Sequence, residues 1–340
     1  MLSSRVTAAI SSSTTATFLF NNPKISSKKF PYISNPLNNS AKSIKWNCRN
    51  SRMEKSASSF VTKASAQPLT NPGELIDSVE TFIFDCDGVI WKGDKLIDGV
   101  PETLDLLREK GKRLVFVTNN STKSRKQYGK KFETLGLSVS EEEIFASSFA
   151  AAAYLKSIDF PKDKKVYVVG EEGILKELEL AGIQHIGGPE DGDKKIELKP
   201  GYMMEQDKDV GAVVVGFDRY FNYHKIHKLH CCCSVASGGG SMVGAILGST
   251  KREPLVVGKP STFMMDYLAN EFNIQKSQIC MVGDRLDTDI LFGQNGGCKT
   301  LLVLSGVTSL SMLQDPKNSI QPDFYANKIS DFLSIKAAAV

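Results

Sequence analysis

The chain has 340 residues, 41% of them apolar, which is enough for two packed domains and argues against a compositionally disordered protein. Its formal charge is +4, but residues 1–64 hold ten Lys or Arg against one acid, Glu54; that segment carries +9 and leaves −5 for residues 65–340. A mildly acidic body without a basic stripe argues against a nucleic-acid partner, and the most apolar run, 211–217, is far short of the ~18 residues of a membrane span.

The first 64 residues are rich in Ser and Thr, hold no acid before Glu54 and have no long apolar core. This is the composition of an organelle transit peptide, and the Ser/Thr content leans toward the chloroplast and its stroma. The segment is therefore set outside the fold as a disordered leader with cleavage near 61–65; a disordered basic tail is the alternative. Seven cysteines (Cys48, Cys86, Cys231, Cys232, Cys233, Cys280 and Cys298) show no regular spacing and follow no secretory signal, which argues against a disulfide framework.

From Val79 onward, short β-branched or aromatic runs alternate with amphipathic stretches closed by Gly, the pattern of repeated βα units around a mostly parallel sheet. A strand is predicted over 79–85, then a helix opened by Pro101 and closed by Gly111. A second strand covers 113–118, followed by helices over 123–135 and 149–155. Residues 165–169, 175–180 and 212–215 form a smaller βα series, read as an inserted domain. The main alternation resumes with strands at 255–257, 279–282 and 300–303 and helices at 262–272 and near Asp289. The fold class is thus α/β, a Rossmann-like parallel-sheet core over 75–160 and 251–335 with an α/β cap inserted at 161–250.

In open α/β sheets ligands bind beyond the carboxyl ends of the strands. Four polar clusters occupy such positions, each directly after an apolar run: 85–91 (DCDGVIW), 118–121 (TNNS), 258–260 (GKP) and 283–289 (GDRLDTD). Carboxylates at 85 and 87 leave a strand end on the same side and repel each other unless a cation lies between them. Hard divalent cations prefer oxygen ligands, so Mg²⁺ is the natural counter-ion, with Asp284 as a third acid. Several acids, one lysine and a hydroxyl suit phosphoryl transfer. A calcium loop lacks its remaining acids at the required offsets. A Walker loop lacks its first glycine, with Glu253 in that place, and Pro260 follows the lysine. The TNNS run could also be a turn with a helix cap, and Asp287 and Asp289 could cap the next helix.

In order along the chain, these four clusters resemble the four motifs of the haloacid dehalogenase superfamily, over about residues 75–335. The resemblance implies that Asp85 is a nucleophile forming an aspartyl-phosphate, and that Asp87 protonates the leaving oxygen and then activates water. It implies Thr118 and Lys259 on phosphoryl oxygens, and Asn119 and Asn120 lining the phosphate pocket. Mg²⁺ would be held by Asp85, the main-chain carbonyl of Asp87 and Asp284, with Asp289 behind them. Within the superfamily the motifs look like the phosphoglycolate and pyridoxal phosphatase branch, and 277–311 is most similar to its plant chloroplast members. The implied reaction is 2-phosphoglycolate to glycolate and phosphate, in photorespiration. The implied partner is a small phosphorylated metabolite, with no nucleic acid and no membrane; a homo-oligomer is compatible with the sequence.

One stretch departs from that branch. After 217–223 the chain runs through His224, His227, His230 and Cys231 to Cys233 and rejoins the pattern near Gly238, short by roughly two dozen residues, about the strand-plus-loop part of a βα crossover. Three adjacent cysteines fit one tetrahedral zinc poorly, so a splicing or gene-model junction near 224–237 is the preferred reading. The expectation is an incomplete cap with an open sheet edge and exposed apolar surface, and weakened turnover. The alternatives are a phosphatase for pyridoxal phosphate or for a broad range of small phosphomonoesters, and a phosphate-binding protein without turnover.

Overall fold

A computed structural model describes residues 17–20, 66–197, 207–231, 240–250 and 254–335. Seven strands form one parallel sheet in the order Gln67–Pro68, Phe324–Ala326, Lys299–Val303, Ile279–Gly283, Thr81–Phe84, Arg113–Thr118 and Ile144–Ala146. The chain starts its main alternation at Thr81–Phe84, builds outward through Arg113–Thr118 and Ile144–Ala146, then returns to the opposite flank with Ile279–Gly283. Strand order therefore reverses beside Thr81–Phe84, and a crevice opens at the carboxyl ends there.

The central strands are apolar on both faces because helices cover both. Thr81–Phe84 is buried at every position. Its period of two sends Phe82 and Phe84 into one layer with Phe116, Phe132 and Phe332, and Ile83 into the other with Val115, Val117 and Met281. The predicted punctuation holds. Helix Val100–Glu109 carries Pro101 in its first turn, and Gly111 after its end adopts φ +70°. Helix Arg125–Thr134 is opened by a capping box in which Ser124 and Gln127 exchange bonds with each other's main chain.

The cap has its own five-stranded sheet, in the order Leu255–Val256, Thr17–Phe20, Val210–Val215, Lys165–Val169 and His185–Gly187. Two expectations are corrected here. Leu255–Val256, expected in the core sheet, pairs antiparallel with Thr17–Phe20 in the cap sheet. Thr17–Phe20, expected in a disordered leader, pairs antiparallel with the cap, from Thr17 opposite Val215 to Phe20 opposite Ala212. The physical reason is main-chain satisfaction: Val210–Val215 is buried along its whole length, and an edge without a partner would leave buried amides and carbonyls unpaired. Helix Tyr223–Cys231 begins the stretch of the proposed junction; the part of that junction at 232–237 lies outside the described residues. No helix among the described residues is long and apolar enough to cross a membrane.

A buried ion pair ties the end of the cap sheet to helix Tyr223–Cys231. Lys225 Nζ donates to Asp218 Oδ2 at 2.6 Å, with both side chains at 0% exposure, and Asp218 Oδ1 accepts from the Tyr220 amide. Replacing Lys225 by Ala strands a buried carboxylate. It should cost about 3–5 kcal/mol in chemical denaturation, more than replacing both partners by apolar residues of similar volume.

Candidate active site

Asp85 follows Thr81–Phe84 directly, and its amide donates to Val282 O at 2.9 Å, which holds the strand end against Ile279–Gly283. The chain then turns at Gly88 with φ +88°, where a Cβ would stand 2.5 Å from Asp284 Oδ2. Positive φ and close approach to a carboxylate together demand glycine at that position. Asp284 leaves the neighbouring strand end. Asp289 is brought back onto it by the wide turn Leu286–Ile290, in which Asp289 Oδ2 accepts from the amides of Asp284 and Arg285, each at 3.1 Å.

Lys259 enters from the segment after the cap. Its Nζ donates to Asp85 Oδ1 at 2.7 Å and to Val117 O at 2.9 Å, and lies 2.7 Å from Asp289 Oδ1 as an ionic contact outside hydrogen-bond alignment. Asn119 fixes this segment, its amide nitrogen donating to Lys259 O at 2.9 Å and its amide oxygen accepting from Lys259 N at 2.8 Å. The peptide bond from Lys259 to Pro260 is cis. Thr118 ends its strand buried, and its hydroxyl oxygen accepts from the Asn120 amide. The cap rests on the same loop: Ser121 Oγ accepts from the Phe217 amide, and the Gly173 amide donates to Thr122 O.

Asp85, Lys259, Asp284 and Asp289 are all buried, and three carboxylates against one ammonium leave the pocket with excess negative charge when all are ionised. Burial pushes the Asp85 carboxyl well above its usual range, against the pull of Lys259. Burial, then the Asp289 charge, raises Asp284 to about 7. Burial alone would lower Lys259, but Asp289 and Asp85 outweigh it and hold the ammonium above its ordinary value.

The residues fit a hard divalent cation. One oxygen each from Asp85, Asp284 and Asp289 lie within 4.8 Å of one another, and Asp284 Oδ1 is buried without a hydrogen-bond partner among the described residues. The structure departs from expectation at three residues. Asp289, expected behind the ligands, is a member of the carboxylate cluster. The Asp87 side chain is exposed and outside it, its Oδ1 accepting from Trp91 Nε1 at 2.9 Å. The Asn119 side chain, expected to line the phosphate pocket, is instead committed to the Lys259 backbone. The reach of Trp91 to Asp87 carried one signal in the sequence, an indole four residues beyond a carboxylate.

A parallel sheet with such a motif at three of its strand ends, completed by Lys259 from the segment after the cap, defines a class, and the comparisons agree. Two family profiles match, haloacid dehalogenase-like hydrolase over residues 82–184 and HAD-hydrolase-like over residues 256–332. The chain belongs to the haloacid dehalogenase-like hydrolases. It is 75% identical over 307 residues to phosphoglycolate phosphatase 1A, chloroplastic, of Arabidopsis thaliana, covering 84% of this chain and 85% of the relative. Phosphoglycolate phosphatase 2 of the same plant is 57% identical over 289 residues, covering 78% and 96%. Among solved structures, the p-nitrophenyl phosphatase from Archaeoglobus fulgidus superposes with a TM-score of 0.63 at 29% identity, covering 76% of this chain and 99% of that one.

The raised Asp284 value has a direct consequence for metal-free protein. Its carboxyl binds a proton more tightly folded, at about 7, than at its ordinary 3.8, so the folded state holds more protons between those values. Stability should therefore be highest at the acid end of that window and fall as pH rises from about 4 to 7. Thermal unfolding in chelator should report this decline. A divalent cation should raise Tm more at pH 8 than at pH 6, because it binds the ionised carboxylates.

Proposed function

We propose that the chain is a Mg²⁺-dependent phosphomonoester hydrolase that converts 2-phosphoglycolate to glycolate and phosphate in the chloroplast stroma. The reaction class rests above all on the convergence of Asp85, Lys259, Asp284 and Asp289 at the switch point of the sheet. The substrate rests on the identity to relatives that carry that activity in their names.

An Asp85 carboxylate oxygen attacks phosphorus, forming an aspartyl-phosphate as the ester oxygen–phosphorus bond breaks. Asp87 delivers its proton to the departing oxygen of glycolate. The ionised Asp87 then takes a proton from water, which attacks the same phosphorus and releases phosphate and the free Asp85 carboxylate. Lys259 favours the ionised nucleophile through its bond to Oδ1, opposing the effect of burial, and, with the Thr118 hydroxyl, stabilises charge on the phosphoryl oxygens. When bound by Asp85, Asp284 and Asp289, with the Asp87 carbonyl alongside, Mg²⁺ supplies the positive charge that lets a phosphate dianion approach several carboxylates.

The substrate panel is 2-phosphoglycolate, pyridoxal 5′-phosphate and glycerol 3-phosphate, with phosphate release as the readout. Preference for 2-phosphoglycolate is expected, with a catalytic efficiency below that of a relative with a full cap, as the reading of a shortened cap near 224–237 requires. A flat profile contradicts the substrate assignment. Replacing Asp85 by Asn should lower kcat at least ~10³-fold with an unchanged melting profile, because the covalent step loses its nucleophile.

A further inference from the structure

We infer that Trp91 is a positioning residue for Asp87, fixing which of its two carboxylate oxygens carries the proton. The inference rests on the proposed role of Asp87 and extends it. Asp87 is exposed, and a side chain with two χ angles at the mouth of a cleft would ordinarily sample several rotamers. Its one hydrogen bond among the described residues comes from the Trp91 indole, 2.9 Å from Oδ1.

That indole is itself held from several sides. Trp91 is fully buried, and its ring packs edge-on against Phe132 at 4.8 Å between centroids. Its carbonyl accepts from the Gly88 amide at 2.7 Å, closing the turn that separates it from Asp87. It opens the short antiparallel ribbon of Trp91–Lys92 and Lys95–Leu96. Lys131 lies over the ring, its Nζ 4.3 Å from the centroid, and is anchored by donating to Gly93 O at 2.9 Å. A cation on the face of an indole draws electron density from the ring and makes the N–H a stronger donor. The donor is thus rigid and reaches Asp87 at one oxygen only.

With Oδ1 occupied by a group that only donates, the proton passed to the leaving oxygen, and later taken from water, travels on Oδ2. A buried indole N–H also needs an acceptor for structural reasons alone, so the test separates the two roles.

The readout is kcat/KM for two substrates that differ in their need for an acid. Glycolate leaves 2-phosphoglycolate as a basic alkoxide and requires a proton, whereas p-nitrophenolate leaves p-nitrophenyl phosphate as a stable anion. Replacing Asp87 by Asn should lower kcat/KM on the alkyl ester by ~10²-fold or more, and much less on the aryl ester. Replacing Trp91 by Phe keeps an aromatic ring against Phe132 and Lys131 and removes the N–H. It should follow the same pattern more weakly, with about a 10-fold loss on 2-phosphoglycolate and less than about 3-fold on the aryl ester. In the Asp87→Asn background, Trp91→Phe should cost nothing further on either substrate. Equal losses on both esters, no loss on either, or a full additional loss in the double variant would overturn the inference; the last is also what poor folding would produce. If Asp87→Asn itself shows no selectivity between the esters, the acid role of Asp87 fails, and the inference with it. If Asp87→Asn is selective and Trp91→Phe is not, the inference alone fails.

Discussion

The structure depends on one ammonium group among three buried carboxylates. Asp85, Asp284 and Asp289 come from two adjacent strand ends, and without a counter-charge their mutual repulsion would add to the cost of removing each from water. Lys259 supplies part of that charge by touching Asp85 and Asp289 while anchoring to the carbonyl of a third strand, at Val117. One lysine compensates three acids incompletely. The remaining negative charge makes the pocket a place for a divalent cation and, once that cation is present, for a phosphate.

The same loops carry the cap. The segment 118–122 supplies the Thr118 hydroxyl, the Asn119 clamp on Lys259 and the seats for Phe217 and Gly173 of the cap. A Cβ on Gly173 would fall within 2.6 Å of the backbone at Thr122 and Lys123, so the first turn of helix Glu172–Leu180 sits directly on that loop. The cap is thereby seated directly on the loop that follows Thr118 and carries Asn119, through contacts a few ångströms long.

Most of the core and its acids were legible in the sequence because both follow from local pattern. Short apolar runs ending in Asp, Thr or Gly-Asp announce buried strands whose ends meet at a crevice, and the strand predicted over 113–118 is found with those bounds. What was not legible depends on contacts distant in sequence. The place of Asp289 among the carboxylates requires the turn that folds it back onto the Asp284 amide. The commitment of Asn119 to Lys259 spans 140 residues and has no local signature. Thr17–Phe20 lies in a segment whose composition reads as a leader, and its pairing is set by the unmatched backbone of Val210–Val215 rather than by its own periodicity.

The clamp between Asn119 and Lys259 also joins, at a single point of the core, the chain before strand Ile144–Ala146 and the chain that returns from the cap. The chain between the two clamped residues, which includes the cap, spans 140 positions, and the entropy of closing such a loop changes only with the logarithm of its length. Adding or removing roughly two dozen residues alters that term by only on the order of 0.1–0.2 kcal/mol. Loop-closure entropy therefore sets almost no limit on the length of the segment that the clamp encloses.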